Sequence, residues 1–154
     1  RAAALNIPQG PERSRLVAGE KVTLSDGRVI HPDDVLGPPE RRAWLAHVGD
    51  AGDTESLEEH VRGADLLVME ATYRQRDADL AEQFGHLTAA QSAHLAVEAD
   101  VHQLVLTHIS RRYCESDVLE EAQAIMPNTA VARDLDHFRV LRGQVEREAR
   151  PGNA

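Results

Sequence analysis

Residues 103–113, QLVLTHISRRY, pass from an apolar run into a histidine, a serine and two arginines. Val105, Leu106 and Thr107 have the β-branched and apolar character of a central strand, which puts His108 at a strand's C-terminal edge. In open α/β sheets that edge is where ligands bind. A histidine there can also simply cap the strand by bonding a loop carbonyl, and the stretch by itself favours that plainer role. The balance shifts only with the residues that keep His108 company elsewhere in the chain.

Outward from this strand the sequence alternates. ADLLVME (64–70) and AWLAHVG (43–49) read as two further strands. Between them lies TESLEEHV (54–61), a helix expected to be capped by Thr54. RQRDADLAEQF (74–84) has helical composition. TAAQSAHLAVEA (88–99) is a stronger helix, with Thr88 as N-cap and Ala89, Ala93 and Ala96 spaced to share one closely packed face. DVLEEAQAIM (117–126) is a further amphipathic helix; TAVAR and HFRVL are strands, followed over 143–154 by a charged tail expected to be mobile. Strand, helix, strand, helix, strand in succession predicts α/β layering with a sheet that is at least partly parallel.

The first 19 residues read as a short helical piece followed by the turn-rich PQGPERSR. KVTL and RVI form a hairpin around Ser25-Asp26-Gly27, and HPDDVLGPPERR (31–42), punctuated by Pro32, Pro38 and Pro39, is expected to be a surface loop. A chain of 154 residues with 42% hydrophobic content can bury one core, so a single compact unit is expected over 1–154. The chain opens on Arg1 in what looks like the tail of a helix, which suggests a cut rather than a native start. No run approaches the ~18 apolar residues of a membrane span, and no secretory signal is present, so the protein reads as cytoplasmic. Cys114 is the only cysteine, which rules out an internal disulfide or a Cys-rich zinc knuckle. The net charge of −9 argues against a surface that attracts nucleic acid everywhere, though it allows a local cationic patch.

Several strands or the loops after them end in residues suited to chemistry. Asp50 follows AWLAHVG, Glu70 ends DLLVME and His108 ends QLVLT, while His86 opens the loop before the Ala-rich helix. If the strands are neighbours, these four side chains converge on one cleft. Carboxylate and imidazole together suit a borderline metal such as zinc. A histidine without metal beside a glutamate suits proton transfer, because the carboxylate fixes the imidazole tautomer. Each residue also has a plain structural reading: a turn carboxylate, a partner for a backbone amide, the first residue of a helical turn.

The strings GDAGDTESLEEHVRGADLLVMEATY, FGHLTAAQSAHLA and LVLTHISRRY resemble the C-terminal half of ribonuclease Z, the metallo-β-lactamase-fold endonuclease that trims tRNA 3′ trailers. GEKVTLSDGRVIHPDDVLGPP resembles the hairpin that precedes that region in the family. The resemblance implies an α/β fold, roughly the C-terminal half of an αββα sandwich. It also implies a zinc-dependent endoribonuclease acting on precursor tRNA, working as a cytoplasmic homodimer with two zinc ions per complete site. By the same likeness Asp50 bridges the two ions and His108 is a ligand to one of them, with Asp53 the competing carboxylate. His86 protonates the departing 3′ oxygen, Glu70 orients it, and Arg112 meets substrate phosphate.

The chain departs from the family at Met69, Leu87 and Arg111, which stand where the family has His, Ser and Pro. The first two are expected to remove polar groups beside the proton donor. The HxHxDH motif that supplies most metal ligands is absent, since no two of the eight histidines are two residues apart. This half is therefore expected to be inactive by itself. Its sheet is expected to leave an inner face open around Leu66, Val68, Val105 and Leu106. Two alternatives stand beside the nuclease: another hydrolase of the fold, acting on a thioester, a cyclic phosphodiester or an arylsulfate, and a non-catalytic interaction module.

Overall fold

A computed structural model describes residues 1–37 and 42–148, and where one unit was expected the chain divides into two compact ones, Arg1–Arg41 and Arg42–Ala154. In the first, the segment expected to be turn-rich forms helix α1 (Pro11–Val17). Pro11 has its φ preset for a first helical position, and Glu12 sits favourably in the first turn of the helix. The predicted hairpin pairs β1 (Val22–Thr23) with β2 (Val29–Ile30). HPDDV, expected to be loop, makes the short helix α2 (Pro32–Val35), whose start is tied by the His31 amide donating to Asp34 at 2.7 Å. Ile7, Leu16, Val22, Leu24 and Ile30 form this unit's own small core. Residues 38–41 of the expected loop lie outside the described residues.

The second unit is built on a four-stranded sheet of β3 (Leu45–His47), β4 (Leu66–Glu70), β5 (Gln103–Thr107) and β6 (Thr129–Val131), side by side in that order and all parallel. Helices α3 (Glu58–Val61), α4 (Ala78–Phe84), α5 (Ala89–Glu98) and α6 (Glu115–Gln123) fill the crossovers. α3 is shorter than expected and Thr54 does not cap it: Thr54 instead accepts the Leu57 amide at 3.1 Å, closing a turn before the helix begins. Thr88 caps α5 as predicted, in a reciprocal box with Gln91. Ala89, Ala93 and Ala96 of α5 are fully buried in one cluster with Leu67 and Met69 of β4 and Leu104 and Leu106 of β5. Small side chains on the helix let it lie close to the large ones on the sheet.

The sheet's other face is only partly open, with Leu45 half exposed beside Leu66. Leu66 and Val105 are each 1% exposed, and Leu106, expected on that face, is buried in the cluster with α5; only Val68 of the four is partly exposed. The chain ends in an antiparallel hairpin, β7 (His137–Leu141) with β8 (Gln144–Glu148), turning at Gly143 with φ 68°. The segment expected to be a mobile tail is thus a paired strand as far as Glu148, and residues 149–154 lie outside the described residues.

Candidate functional site

Parallel pairing puts the C-terminal ends of β3, β4 and β5 side by side, with Val68 opposite both His47 and Val105. Asp50 follows β3, Glu70 ends β4, and His108 follows β5. The fourth residue, His86, comes from the turn after α4. Gly85 ends that helix in the left-handed region (φ 69°), where glycine carries no Cβ penalty, and the His86 amide closes the cap on Ala81 O at 2.9 Å. The glycine thereby delivers His86 to the strand ends.

Glu70 is the centre of the arrangement. It is 1% exposed, and its Oε1 and Oε2 each lie 3.1 Å from His86 Nδ1. Oε1 also accepts the Ala51 amide at 2.8 Å, which fixes the loop carrying Asp50. The Thr72 hydroxyl donates to Oε2, and the same hydroxyl oxygen lies 2.7 Å from His108 Nδ1. Ser92 of α5 secures the Glu70 backbone carbonyl at 2.7 Å. Burial pushes the Glu70 carboxyl up, but the hydrogen bonds from Thr72, the Ala51 amide, His86 and the Leu87 amide outweigh it and hold the group below the ordinary glutamate range. Glu70 is therefore an anion at neutral pH.

Asp50, His86 and His108 each place a ligand atom within 4.8 Å of the others. Asp50 Oδ1 is 3.6 Å from His108 Nδ1, and the rings of His86 and His108 lie 5.2 Å apart. Two imidazoles and a carboxylate at this spacing fit a divalent transition metal by donor type. Asp53, the competing carboxylate, is not in this group. It lines a neighbouring cavity of about 330 Å³ with Glu55, Asp79, Glu82 and Gln91, whose wall includes His86. Arg112 rests over the Tyr73 ring at 5.6 Å, and that ring is 6.2 Å from His86, so an exposed guanidinium stands at the rim of the site.

The departures fall differently from expectation. Met69 and Leu87 are fully buried in the apolar cluster. Strand alternation turns Met69 to the face opposite Glu70, so its side chain stands away from the Glu70–His86 pair. Leu87 serves the site through its backbone amide toward Glu70, which any side chain would leave in place. Arg111 is exposed. Sequence reasoning missed Thr72. The signal was its spacing: two residues beyond Glu70 along an extended segment is the same face.

A family model described as "Beta-lactamase superfamily domain" matches residues 18–109, more than half of the chain. The chain belongs to the beta-lactamase superfamily. It is 52% identical over 140 residues to the ribonuclease Z of Bradyrhizobium sp. (strain ORS 278), a match covering 91% of this chain and 46% of that protein. It is 48% identical over 138 residues to the ribonuclease Z of Bradyrhizobium diazoefficiens, covering 90% and 46%. The chain thus spans about half the length of the curated relatives it matches. Among solved structures, the metallo-β-lactamase fold protein YhfI from Bacillus subtilis aligns over 68% of this chain and 39% of its own, with a TM-score of 0.53 at 20% identity. The α/β fold of this superfamily member is accordingly part of a metallo-β-lactamase domain, and its relatives are nucleases.

Proposed function

We propose that this chain is the C-terminal part, over 1–154, of a single metallo-β-lactamase-fold domain in a zinc-dependent endoribonuclease that removes the 3′ trailer from precursor tRNA. The observation that carries the reading is the buried Glu70 carboxylate bonded to His86, set beside an Asp50–His108 pair at adjacent strand ends. One strand-end array thereby offers a proton donor and metal ligands together. The ribonuclease Z relatives support the substrate class.

In this reading Asp50 and His108 would hold zinc together with ligands from the rest of the domain. The zinc pair, when bound, supplies an activated water for attack on phosphorus. Glu70, anionic and fixed by four partners, grips His86 by Nδ1 and leaves Nε2 to exchange a proton with the departing 3′ oxygen. Arg112, braced on Tyr73, bonds a substrate phosphate through its guanidinium fork. The complete protein acts as a homodimer in the cytoplasm, while this half alone does not cleave; no described helix is long and apolar enough to cross a membrane.

Alanine variants of the complete enzyme test the assignment. His108→Ala is expected to lose metal and cleavage together, and Asp50→Ala to do the same. His86→Ala is expected to keep its metal and bind precursor tRNA while cleaving ~10²–10⁴-fold slower, the weight of a positioned general acid. Elemental analysis beside single-turnover cleavage reads both. Loss of metal from His86→Ala, or a larger defect in Asp53→Ala than in Asp50→Ala, would overturn these roles.

A further inference from the structure

We propose that Thr72 is a positioning residue that sets the tautomer of His108 and so selects which ring nitrogen faces the space shared with Asp50 and His86. A threonine hydroxyl has a single hydrogen to donate, with lone pairs left to accept. Thr72, 8% exposed, has Glu70 on one side and His108 on the other. An ionised carboxylate can only accept, so the hydroxyl hydrogen goes to Glu70 Oε2. The contact to His108 Nδ1 at 2.7 Å must then be an N–H donated by the ring. His108 therefore carries its proton on Nδ1 and presents a lone pair on Nε2.

Among the described residues, Thr72 makes the hydrogen bond to this nitrogen. Asp50 Oδ1 is 3.6 Å away, beyond hydrogen-bond range, and the side chain of Asp50 is largely exposed. A neutral imidazole left to water favours the proton on Nε2, which would block that nitrogen as a ligand. The His108 backbone adds a second constraint, because its φ of 54° holds Cβ, and with it the ring, in an orientation that ordinary residues rarely adopt. His86 is controlled separately, since its Nδ1 lies 3.1 Å from Glu70 and 3.5 Å from Thr72. One buried carboxylate thus dictates the tautomer of His86 directly and that of His108 through Thr72. The tautomer stands on this geometry alone; its consequence for metal rests on the reading of His108 as a ligand.

The chain labelled with ¹⁵N-histidine and kept free of metal provides the test, by two-bond ¹H–¹⁵N correlation spectra at neutral pH. Wild type and Thr72→Ser are expected to show His108 protonated on Nδ1. Thr72→Val, which keeps the shape and loses the hydroxyl, is expected to move His108 to the Nε2–H form while His86 stays Nδ1–H, an internal sign that the site is still folded. A Zn²⁺ titration of the same proteins is expected to show affinity about 10–100-fold weaker in Thr72→Val, with Thr72→Ser close to wild type. An Nε2–H signal for His108 in wild type, or an unmoved Nδ1–H signal in Thr72→Val, would overturn the proposal. If the tautomer switches as expected and His108→Ala binds Zn²⁺ as wild type does, the proposal holds and the reading of His108 as a metal ligand fails.

Discussion

Two buried carboxylates sit at opposite ends of the β4 region, and they do different work with the same chemistry. Asp65, 3% exposed, lies just before the strand and accepts the Trp44 amide and the Gly143 amide, each at 2.8 Å. It ties the start of β3 and the turn of the β7–β8 hairpin to the sheet. Glu70, 1% exposed, ends the strand and is held by the Ala51 and Leu87 amides, but it also engages the side chains of Thr72 and His86. The bonds Asp65 makes to backbone amides fasten the fold. The bonds Glu70 makes to a hydroxyl and an imidazole also constrain where those groups' hydrogens lie, and they help offset the cost of burying it.

The sharpest way to break this contrast is to truncate each carboxylate. Asp65→Ala is expected to cost about 3 kcal/mol of stability, because two amides in a buried setting lose a charged acceptor together. Glu70→Ala is expected to cost a similar amount. The two should differ in the site: Asp65→Ala, at temperatures where it is folded, should keep the His86 and His108 tautomers, whereas Glu70→Ala should scramble both. Urea midpoints and histidine ¹⁵N spectra measure the two effects separately. Tautomers disturbed equally in both variants would remove the distinction.

The fold was legible where residues announce their surroundings locally. The apolar runs of β4 and β5, the Thr88 cap and the alanine spacing of α5 all carried their meaning in sequence. The convergence of Asp50, Glu70, His86 and His108 was legible for a related reason, since parallel strands bring their C-terminal ends together once the strands themselves are recognised. The errors came where a local signal has two readings. Proline marks a turn or a first helical position with equal ease, so the sequence of α1 and α2 reads as turn and loop. Thr54 offered a capping oxygen, but the chain used its carbonyl for a turn instead. Asp65 and Thr72 escaped notice because their partners are far along the chain, at Gly143 and His108.

Acid offers a milder probe of the Glu70 end. Its folded carboxyl titrates below the ordinary 4.5 of a glutamate, so the stability it contributes is fully present above that pH and is lost as pH falls through the folded value. Glu70→Gln cannot titrate. The stability gap between wild type and Glu70→Gln is therefore expected to be constant near neutrality and to shrink below about pH 4.5. Asp26 and Asp77 are also held low, but both remain in the two proteins and cancel from the difference. Urea melts from pH 3 to pH 7 read the gap. A gap that widens on acidification would mean that burial, rather than the bonds from Thr72, Ala51 and His86, governs this carboxylate.

The smallest expected effect is the one that best separates fastening from chemistry. His108 sits at φ 54°, a left-handed conformation that costs a residue with a Cβ roughly 1 kcal/mol, while no positive φ is recorded at Asp65 or Glu70. That strain places an imidazole beside Thr72. His108→Ala should keep the strain and lose the ring's bond to Thr72. His108→Gly loses the same bond but adopts the conformation freely, so it should be more stable than His108→Ala by roughly 0.5–1 kcal/mol, after allowing for the greater freedom of glycine in the unfolded chain. Paired urea titrations resolve a difference of that size. If the glycine variant is no more stable than the alanine variant, the backbone at the end of β5 relaxes once the imidazole is gone. The left-handed turn would then be a product of the ring's bond to Thr72 and not a feature imposed by the sheet.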